Sequence, residues 1–177
     1  MDEEVMRIDL LYPEAWAFVC ERHAGQECEG SRAPYAVHCA TVAQLLWNHG
    51  ERDAHILVAA LLHDVVEETA TTIFDVKSHF GERVARIVQS VSHSAQDSRE
   101  AHDILVAQIA NSIPEAQRIE LVDHLHTLCE GLFWWEFPRI EEYRCWSRDL
   151  LDAIPRQVDP ALWERLNLLA QMTPCIA

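Results

Sequence analysis

Apolar residues recur three and four positions apart along most of the chain, which is the spacing that places them on one face of an α-helix. In residues 82–93, for example, Val84, Ile87, Val88 and Val91 follow this spacing. No segment sustains the strict alternation of apolar and polar residues that is typical of a strand. The pattern therefore predicts an all-α protein.

Prolines, glycines and short polar side chains mark where the predicted helices begin and end. Pro13 and Pro34 stand near helix starts, Asp53 is suited to cap a helix N-terminus, and Gly50 ends the second helix. The predicted helices cover residues 12–23, 34–50, 53–63, 71–81, 82–93, 100–111, 114–129, 138–154 and 160–172, with polar loops at 25–33 and 94–99.

The length of 177 residues is enough for one domain with a sizeable hydrophobic core. The sequence has neither internal repeats of 20–50 residues nor low-complexity tracts. We therefore predict a single domain over residues 1–177, with its core at about 10–155 and a C-terminal helix at about 160–172.

The charge of the chain limits the classes of molecule that it can bind. Twenty-nine acidic residues stand against 14 basic ones, the net charge is -15, and Lys77 is the single lysine. This balance argues against binding to nucleic acids or to anionic membrane surfaces, which need a basic face. It remains compatible with a small anionic ligand, because a metal ion and a few arginines can reverse the local field. The oligomeric state is left open, and an oligomer is compatible with the sequence.

The cysteines and the N-terminal residues indicate the cellular compartment in which the protein is expected. The six cysteines form no Cys-x-x-Cys pair, the chain opens on acidic residues, and no apolar stretch reaches transmembrane length. We therefore predict a reduced, cytoplasmic protein.

The most informative chemistry lies at the end of the apolar run 56–62, where His63 and Asp64 follow directly. A buried charge is costly unless it is paired or bound to a metal. Glu67 and Glu68 each follow one of these residues by four positions, which would place them on the same helix faces. A single histidine in an apolar helix is more often an ordinary hydrogen-bonded residue. Three acids and a histidine within six positions repel unless a cation is present, so we predict a metal site.

Two further ligands are predicted from other helices, namely His38 and Asp123. Two imidazoles and two carboxylates without a thiolate form a mixed nitrogen and oxygen site. Carboxylates suit magnesium or manganese, whereas imidazoles suit zinc, iron or nickel, so Mn²⁺ is a reasonable compromise that the spacing does not fix. Such an ion makes hydroxide available near neutral pH, and Glu67 or Glu68 could act as the proton acceptor. The predicted reaction is metal-assisted hydrolysis of a phosphate ester or anhydride.

Several fragments in order resemble a known family. They are His23-Ala24-Gly25-Gln26, Pro34-Tyr35-Ala36-Val37-His38, Leu61-Leu62-His63-Asp64-Val65-Val66-Glu67-Glu68-Thr69, Phe80-Gly81-Glu82-Arg83-Val84, Leu121-Val122-Asp123 and Arg139-Ile140-Glu141-Glu142-Tyr143-Arg144-Cys145-Trp146. This series resembles the HD-domain phosphohydrolases of the RelA/SpoT type, which remove the 3′-diphosphate from the alarmone (p)ppGpp. It is most similar to the stand-alone small alarmone hydrolases, which include the metazoan SpoT homologues. The resemblance covers residues 10–155 and implies an HD-domain helical bundle.

Carried over by position, the resemblance implies Mn²⁺ on the four residues His38, His63, Asp64 and Asp123. It implies that Glu67 is the catalytic glutamate and that Glu68 stands where the family usually has aspartate. The resemblance also implies that Tyr143 and Arg139 lie at the nucleotide pocket. Arg22 and Thr127 are further candidate substrate-binding residues, and Thr127 stands where the family has asparagine.

The sequence also departs from the family near the presumed nucleotide pocket. Glu27-Cys28-Glu29 replaces basic residues, Glu120 replaces a lysine, and His124 replaces an arginine or lysine. Arg22, Arg32 and Arg118 are the candidates to supply the missing charge.

Three hypotheses follow. The first is a phosphohydrolase acting on (p)ppGpp, and the second is a hydrolase of another nucleotide or phosphorylated metabolite that carries less charge. The third is a non-catalytic binding module, in which Phe133-Trp134-Trp135 could form an interface, although burial in the core is the more usual fate of such a cluster.

Overall fold

The computed structural model describes residues 3–92 and 99–172. Its helices are α1 (Glu3–Arg22), α2 (Tyr35–Asn48), α3 (Ala54–Leu61), α4 (Ile73–Val91), α5 (Arg99–Ala110), α6 (Pro114–Trp134), α7 (Phe137–Ala153) and α8 (Pro160–Gln171), with a 3₁₀ turn at Arg156–Val158. Within these residues the only β-structure is an isolated bridge between Glu27 and Pro34. The predicted all-α class is confirmed. None of the described helices is both long and apolar enough to cross a membrane.

The short helix α3 organises the core, because seven of its eight residues are buried. It packs against α1, α2 and α4, while α6 packs against α2, α4, α7 and α8. A helix that is apolar on all sides can only lie inside the protein. Since α2 contacts both α3 and α6, it brings the C-terminal end of α3 towards α6.

Three predicted boundaries were wrong. Helix α1 begins at Glu3 rather than near Tyr12, so Pro13 lies inside it. Helix α6 continues to Trp134 instead of ending at residue 129. Gly131 lies inside α6, and a Cβ on it would meet the Trp135 ring at 2.3 Å, so the glycine serves close packing rather than helix termination.

The third wrong boundary matters for the site, because α3 ends at Leu61, before His63. The Leu62 N–H bonds to the carbonyl oxygens of Val58 and Ala59, which closes the last turn. His63 and Asp64 therefore lie in the turn that follows the helix, and the predicted helical spacing towards Glu67 does not apply.

One other predicted boundary holds. Residues 71–81 and 82–93 were expected to form separate helices, and α4 is broken at Gly81, whose φ of 85° is one that glycine adopts without strain. Thr72 caps the first part through a capping box with Asp75. The predicted end at His93 and most of the loop at 94–99 lie outside the described residues.

The aromatic cluster at the end of α6 is not buried as a unit. Phe133 is 82% exposed and Trp134 is 58% exposed, whereas Trp135 is partly buried against Gly131. The expectation of a core cluster is therefore wrong for the first two residues.

Asp53 caps α3 as predicted and gives a first test of the fold. Its carboxylate accepts the His55 N–H at 2.9 Å and forms an ion pair with Arg83. Partial burial raises the pKa of Asp53, but the His55 N–H and Arg83 outweigh burial and lower it below the ordinary value.

We expect Asp53→Ala to reduce the free energy of unfolding by about 1–2 kcal/mol, because the cap is lost. Asp53→Asn keeps an acceptor for the cap and removes only the charge, so its deficit should be smaller. Because the folded-state pKa is lowered, the stabilisation by the charge is complete above the unfolded pKa of about 4 and is lost as the pH falls through the folded pKa. Urea unfolding from about pH 6 to about pH 3 should show the deficit of Asp53→Asn closing with acid. The exposed Asp152→Asn is the control, and a deficit that is independent of pH would contradict this assignment.

Candidate metal centre

Four predicted ligands converge from three segments of the chain. His38 lies on α2, His63 and Asp64 lie in the turn after α3, and Asp123 lies on α6. The His38 Nε2 atom is 3.3 Å from His63 Nε2 and 3.0 Å from Asp123 Oδ1, and His63 Nε2 is 3.0 Å from Asp64 Oδ2. Ligand atoms of His38, His63 and Asp64 all lie within 4.8 Å of one another. The nitrogen and oxygen donors thus point at one small volume.

The cluster is closed on one side and open on the other. The side chains of His38 and His63 are 8% and 4% exposed, whereas those of Asp64 and Asp123 are 16% and 22% exposed. The imidazoles therefore form the floor of the cluster, and a ligand from solvent would approach past the carboxylates.

Hydrogen bonds orient the ligands from behind. The His63 Nδ1 atom lies 2.8 Å from the Ala60 carbonyl oxygen, which can only accept, so Nδ1 carries a proton and Nε2 is the nitrogen that remains for a metal ion. The Tyr35 hydroxyl donates to Asp64 Oδ2 at 2.8 Å. The His38 Nδ1 atom lies 3.0 Å from Nδ1 of His126.

Sequence reasoning missed Tyr35 and His126 as parts of this site. Tyr35 stands inside a fragment that already carried the family resemblance, three residues before His38. His126 follows Asp123 by three positions, and on a helix this spacing places both residues on one face. Spacing from a predicted ligand is the signal that could have identified His126.

The pKa shifts of the four side chains show that the cluster stabilises positive charge. Burial lowers the pKa of His38, but hydrogen bonds to Asp123 and Asp64 outweigh burial and raise this pKa to about 9. Burial raises the pKa of Asp123, but His38 and His63 hold it well below its usual range. The carboxylates that attract protons to the imidazoles would equally attract a cation. Two imidazole nitrogens and two carboxylate oxygens therefore suit a divalent metal ion.

The two predicted catalytic glutamates lie in the turn that holds the ligands. The N–H groups of Glu67 and Glu68 bond to the Asp64 carbonyl oxygen at 3.2 and 2.9 Å. Gln26 donates from its side-chain amide to the Glu68 carbonyl oxygen at 2.6 Å, which ties this turn to the loop after α1. These backbone bonds keep both glutamates in one turn with Asp64, although this turn is separate from helix α3.

Among the predicted substrate-binding residues, Thr127 lies nearest to the cluster, with its hydroxyl 3.4 Å from Asp123 Oδ1. Tyr143 is 8% exposed and packs between the rings of His124 and Trp135. Arg22 places its guanidinium over the Phe18 ring at 4.7 Å. Thr127 therefore contacts the candidate metal ligand Asp123 directly, whereas Tyr143 lies largely in the core.

Arg139 is engaged by acids and aromatic rings. It lies 3.5 Å from Glu29 and 2.8 Å from Glu142, and it stacks over the rings of Trp135 and Trp146 at 5.2 Å from each centroid. Much of its charge is therefore neutralised within the protein.

The two other candidate cations are also paired. Arg32 pairs with Glu27 at 2.9 Å in the loop after α1. Arg118 pairs with Glu51 and, at 3.2 Å, with Asp159, so it joins the turn before α3 to the N-cap of α8. The expectation that Arg118 supplies charge to the pocket is not supported, because its guanidinium holds these two elements together.

Comparisons with known proteins identify the family of this chain. The chain matches the HD domain family over residues 15–128. It is 35% identical over 162 residues to guanosine-3′,5′-bis(diphosphate) 3′-pyrophosphohydrolase MESH1 of Homo sapiens, which covers 84% of this chain and 89% of that protein. A protein of Aquifex aeolicus with the same enzymatic name is 35% identical over 99 residues, which is 52% of this chain and 14% of the larger relative.

A solved structure has the same fold as this chain. It is described as a metazoan orthologue of SpoT that hydrolyses ppGpp, and it superposes with a TM-score of 0.84 at 26% identity. The superposition covers 90% of this chain and 93% of that structure. By sequence and by fold, this chain belongs to the HD-domain family of hydrolases.

Proposed function

We propose that this protein is a metal-dependent phosphohydrolase that removes the 3′-diphosphate from ppGpp, with Mn²⁺ as its metal. The observation that carries the proposal is the convergence of His38, His63, Asp64 and Asp123 at the end of α3. This convergence occurs in a chain whose relatives, over 84% of its length, are named for the 3′-pyrophosphohydrolase reaction.

The four ligands would hold one divalent cation. When bound, such a cation lowers the pKa of a coordinated water and polarises a phosphoryl oxygen. The mixed set of imidazole nitrogens and carboxylate oxygens favours manganese over metals that prefer purely oxygen or purely nitrogen sites. The cytoplasmic location and the single-domain organisation stay predictions from the sequence.

Groups of the protein have two tasks in this reaction, which are to hold the metal ligands and to move protons. Tyr35 holds Asp64 by its hydroxyl, and the Ala60 carbonyl holds His63, so the ligands keep their orientation. Glu67 or Glu68 accepts a proton from the attacking water and returns one to the leaving 3′-oxygen. The bond between the 3′-oxygen and phosphorus breaks, water supplies the hydroxyl group to phosphorus, and the products are GDP and pyrophosphate.

Metal binding is the first test. The unaltered protein should bind one Mn²⁺ ion, and Asp123→Asn should weaken its affinity by more than about 100-fold, because a charged oxygen ligand becomes a neutral amide. Titration calorimetry measures both affinities. Asp152→Asn removes an exposed carboxylate on α7 and should leave the affinity unchanged. Equal affinities for Asp123→Asn and the unaltered protein would place the metal elsewhere.

Turnover is the second test. With Mn²⁺ present, pyrophosphate should be released from ppGpp, a chelator should stop the reaction, and added Mn²⁺ should restore it. Asp64→Ala should abolish both metal binding and turnover, because it removes a ligand next to the predicted proton acceptors. Persistent turnover in Asp64→Ala would refute this assignment of the site. Stoichiometric metal without turnover of any phosphate compound would instead indicate the non-catalytic module.

A second candidate substrate is a nucleotide or phosphorylated metabolite that carries less charge than ppGpp. The observation that favours it is the pairing of Arg139 with Glu29 and Glu142, beside the acidic loop that also holds Glu27. Each charge-assisted phosphate contact that is lost weakens binding by about 1.5–3 kcal/mol. An assay panel of ppGpp, NADPH and common nucleotides separates the two candidates, because activity on the less charged compounds alone selects the second.

Glu29 allows a direct test of the role of charge. Glu29→Gln should release Arg139 from one partner and lower the KM for ppGpp by about two- to tenfold. The effect should be smaller at high salt, because Glu29 is exposed and its charge is screened. The KM for a substrate with a single phosphate should change less. Glu100→Gln, an exposed acid on α5, is the control. An unchanged KM for ppGpp would mean that the Glu29–Arg139 pair lies outside the binding pocket.

A further inference from the structure

The His38 ring is held at both of its nitrogens by residues of the same helix. Its Nε2 atom is 3.0 Å from Asp123 Oδ1, and its Nδ1 atom is 3.0 Å from Nδ1 of His126. Asp123 and His126 are three positions apart on α6, so they lie on one face of this helix. A single turn of α6 therefore fixes the orientation of a ligand that belongs to α2.

The two imidazole ligands differ in what lies behind them. The Nδ1 atom of His63 faces the Ala60 carbonyl oxygen, and a carbonyl can only accept a hydrogen bond. The Nδ1 atom of His38 faces another imidazole nitrogen, which can donate or accept according to its tautomer. The proton positions of His38 and His126 are therefore coupled, because one Nδ1 atom must donate and the other must accept.

Only one arrangement of protons suits metal binding. A ligating nitrogen must present a lone pair, so His38 must carry its proton on Nδ1 if Nε2 is to bind the cation. His126 must then accept this proton with its own Nδ1 and carry its proton on Nε2. The opposite arrangement, with His126 donating, would put a proton on His38 Nε2 and block the ligand.

We propose that His126 is a positioning residue, which accepts the Nδ1 hydrogen of His38 and so holds His38 in the tautomer that binds the metal. The role rests on the metal site of the proposed function but not on its substrate. The partners behind metal-bound histidines typically contribute 10- to 100-fold to metal affinity. His126 is half-buried and belongs to no other described hydrogen bond in the structure, so replacing it should leave the fold intact.

Metal affinity tests the proposal without any substrate. His126→Leu removes the acceptor and should weaken Mn²⁺ and Zn²⁺ binding by about 10- to 100-fold in titration calorimetry. His126→Asn places an amide oxygen near the position of the Nδ1 atom and should restore the affinity to within a few-fold. The exposed His79→Leu on α4 carries the same substitution and should bind as the unaltered protein does. Thermal unfolding of each variant shows whether a loss of affinity reflects unfolding.

A spectroscopic measurement tests the same proposal on the unaltered protein, so it stands even where a variant fails to fold. In the Zn²⁺-loaded protein labelled with nitrogen-15, the two Nδ1 nuclei should show a scalar coupling across the hydrogen bond, with the proton attached to His38. A proton on His126 Nδ1, full affinity in His126→Leu, or a folded His126→Asn without rescue would each overturn the proposal. A protein that binds neither metal would overturn the metal centre itself, which is a different result from normal binding that is insensitive to His126.

Discussion

The site depends on the electrostatic balance between two imidazoles and two carboxylates at a largely buried position. Buried charges are stable only when they are compensated, and here each His38 and His63 nitrogen that faces the cluster lies within 3.0–3.6 Å of a carboxylate oxygen. Asp64 and Asp123 bring two negative charges that the protein must offset with protons or with a cation. The ligands, their supporting hydrogen bonds and the fold around them all follow from this requirement.

The fold meets this requirement by ending an almost entirely apolar helix at the site. Helix α3 contributes no charged group to the core, so its residues can be packed from all sides by α1, α2 and α4. His63 and Asp64 come immediately after its last turn, where the chain leaves the core and polar groups can reach the surface of the cluster. The adjacent turn then carries Glu67 and Glu68 at the solvent-facing side.

The sequence predicted which residues come together at the candidate site more accurately than it predicted how they are arranged. Residue types and order were sufficient to select His38, His63, Asp64 and Asp123 as side chains that the structure brings together, because buried histidine and aspartate need compensation and the motif order is specific. The same reasoning placed His63 and Glu67 on one helical face, which was wrong because α3 ends at Leu61. A helix end without a glycine or proline gives little signal in the sequence, and here the Leu62 N–H closes the turn with ordinary backbone bonds.

The long-range contacts could not be predicted at all. Pairing of Arg118 with Glu51 and Asp159 joins positions 41 or more residues apart, and no local pattern reveals such a partner. The same holds for the contact between His38 and His126, which are 88 residues apart. Charge counting alone therefore made Arg118 a candidate for the pocket, whereas its surroundings give it a structural task.

These pairings change how recognition of an anionic substrate has to work. In a chain with a net charge of -15, the side chains of Arg32, Arg118 and Arg139 all form ion pairs with acids of the protein, which leaves them little positive charge to offer a substrate. A divalent ion would then contribute most of the attraction for phosphate, and the exposed Glu29–Arg139 pair would set how much additional negative charge the pocket accepts. The choice between substrates of different charge would thus depend on the metal ion and on the acidic loop after α1, rather than on a cluster of basic side chains.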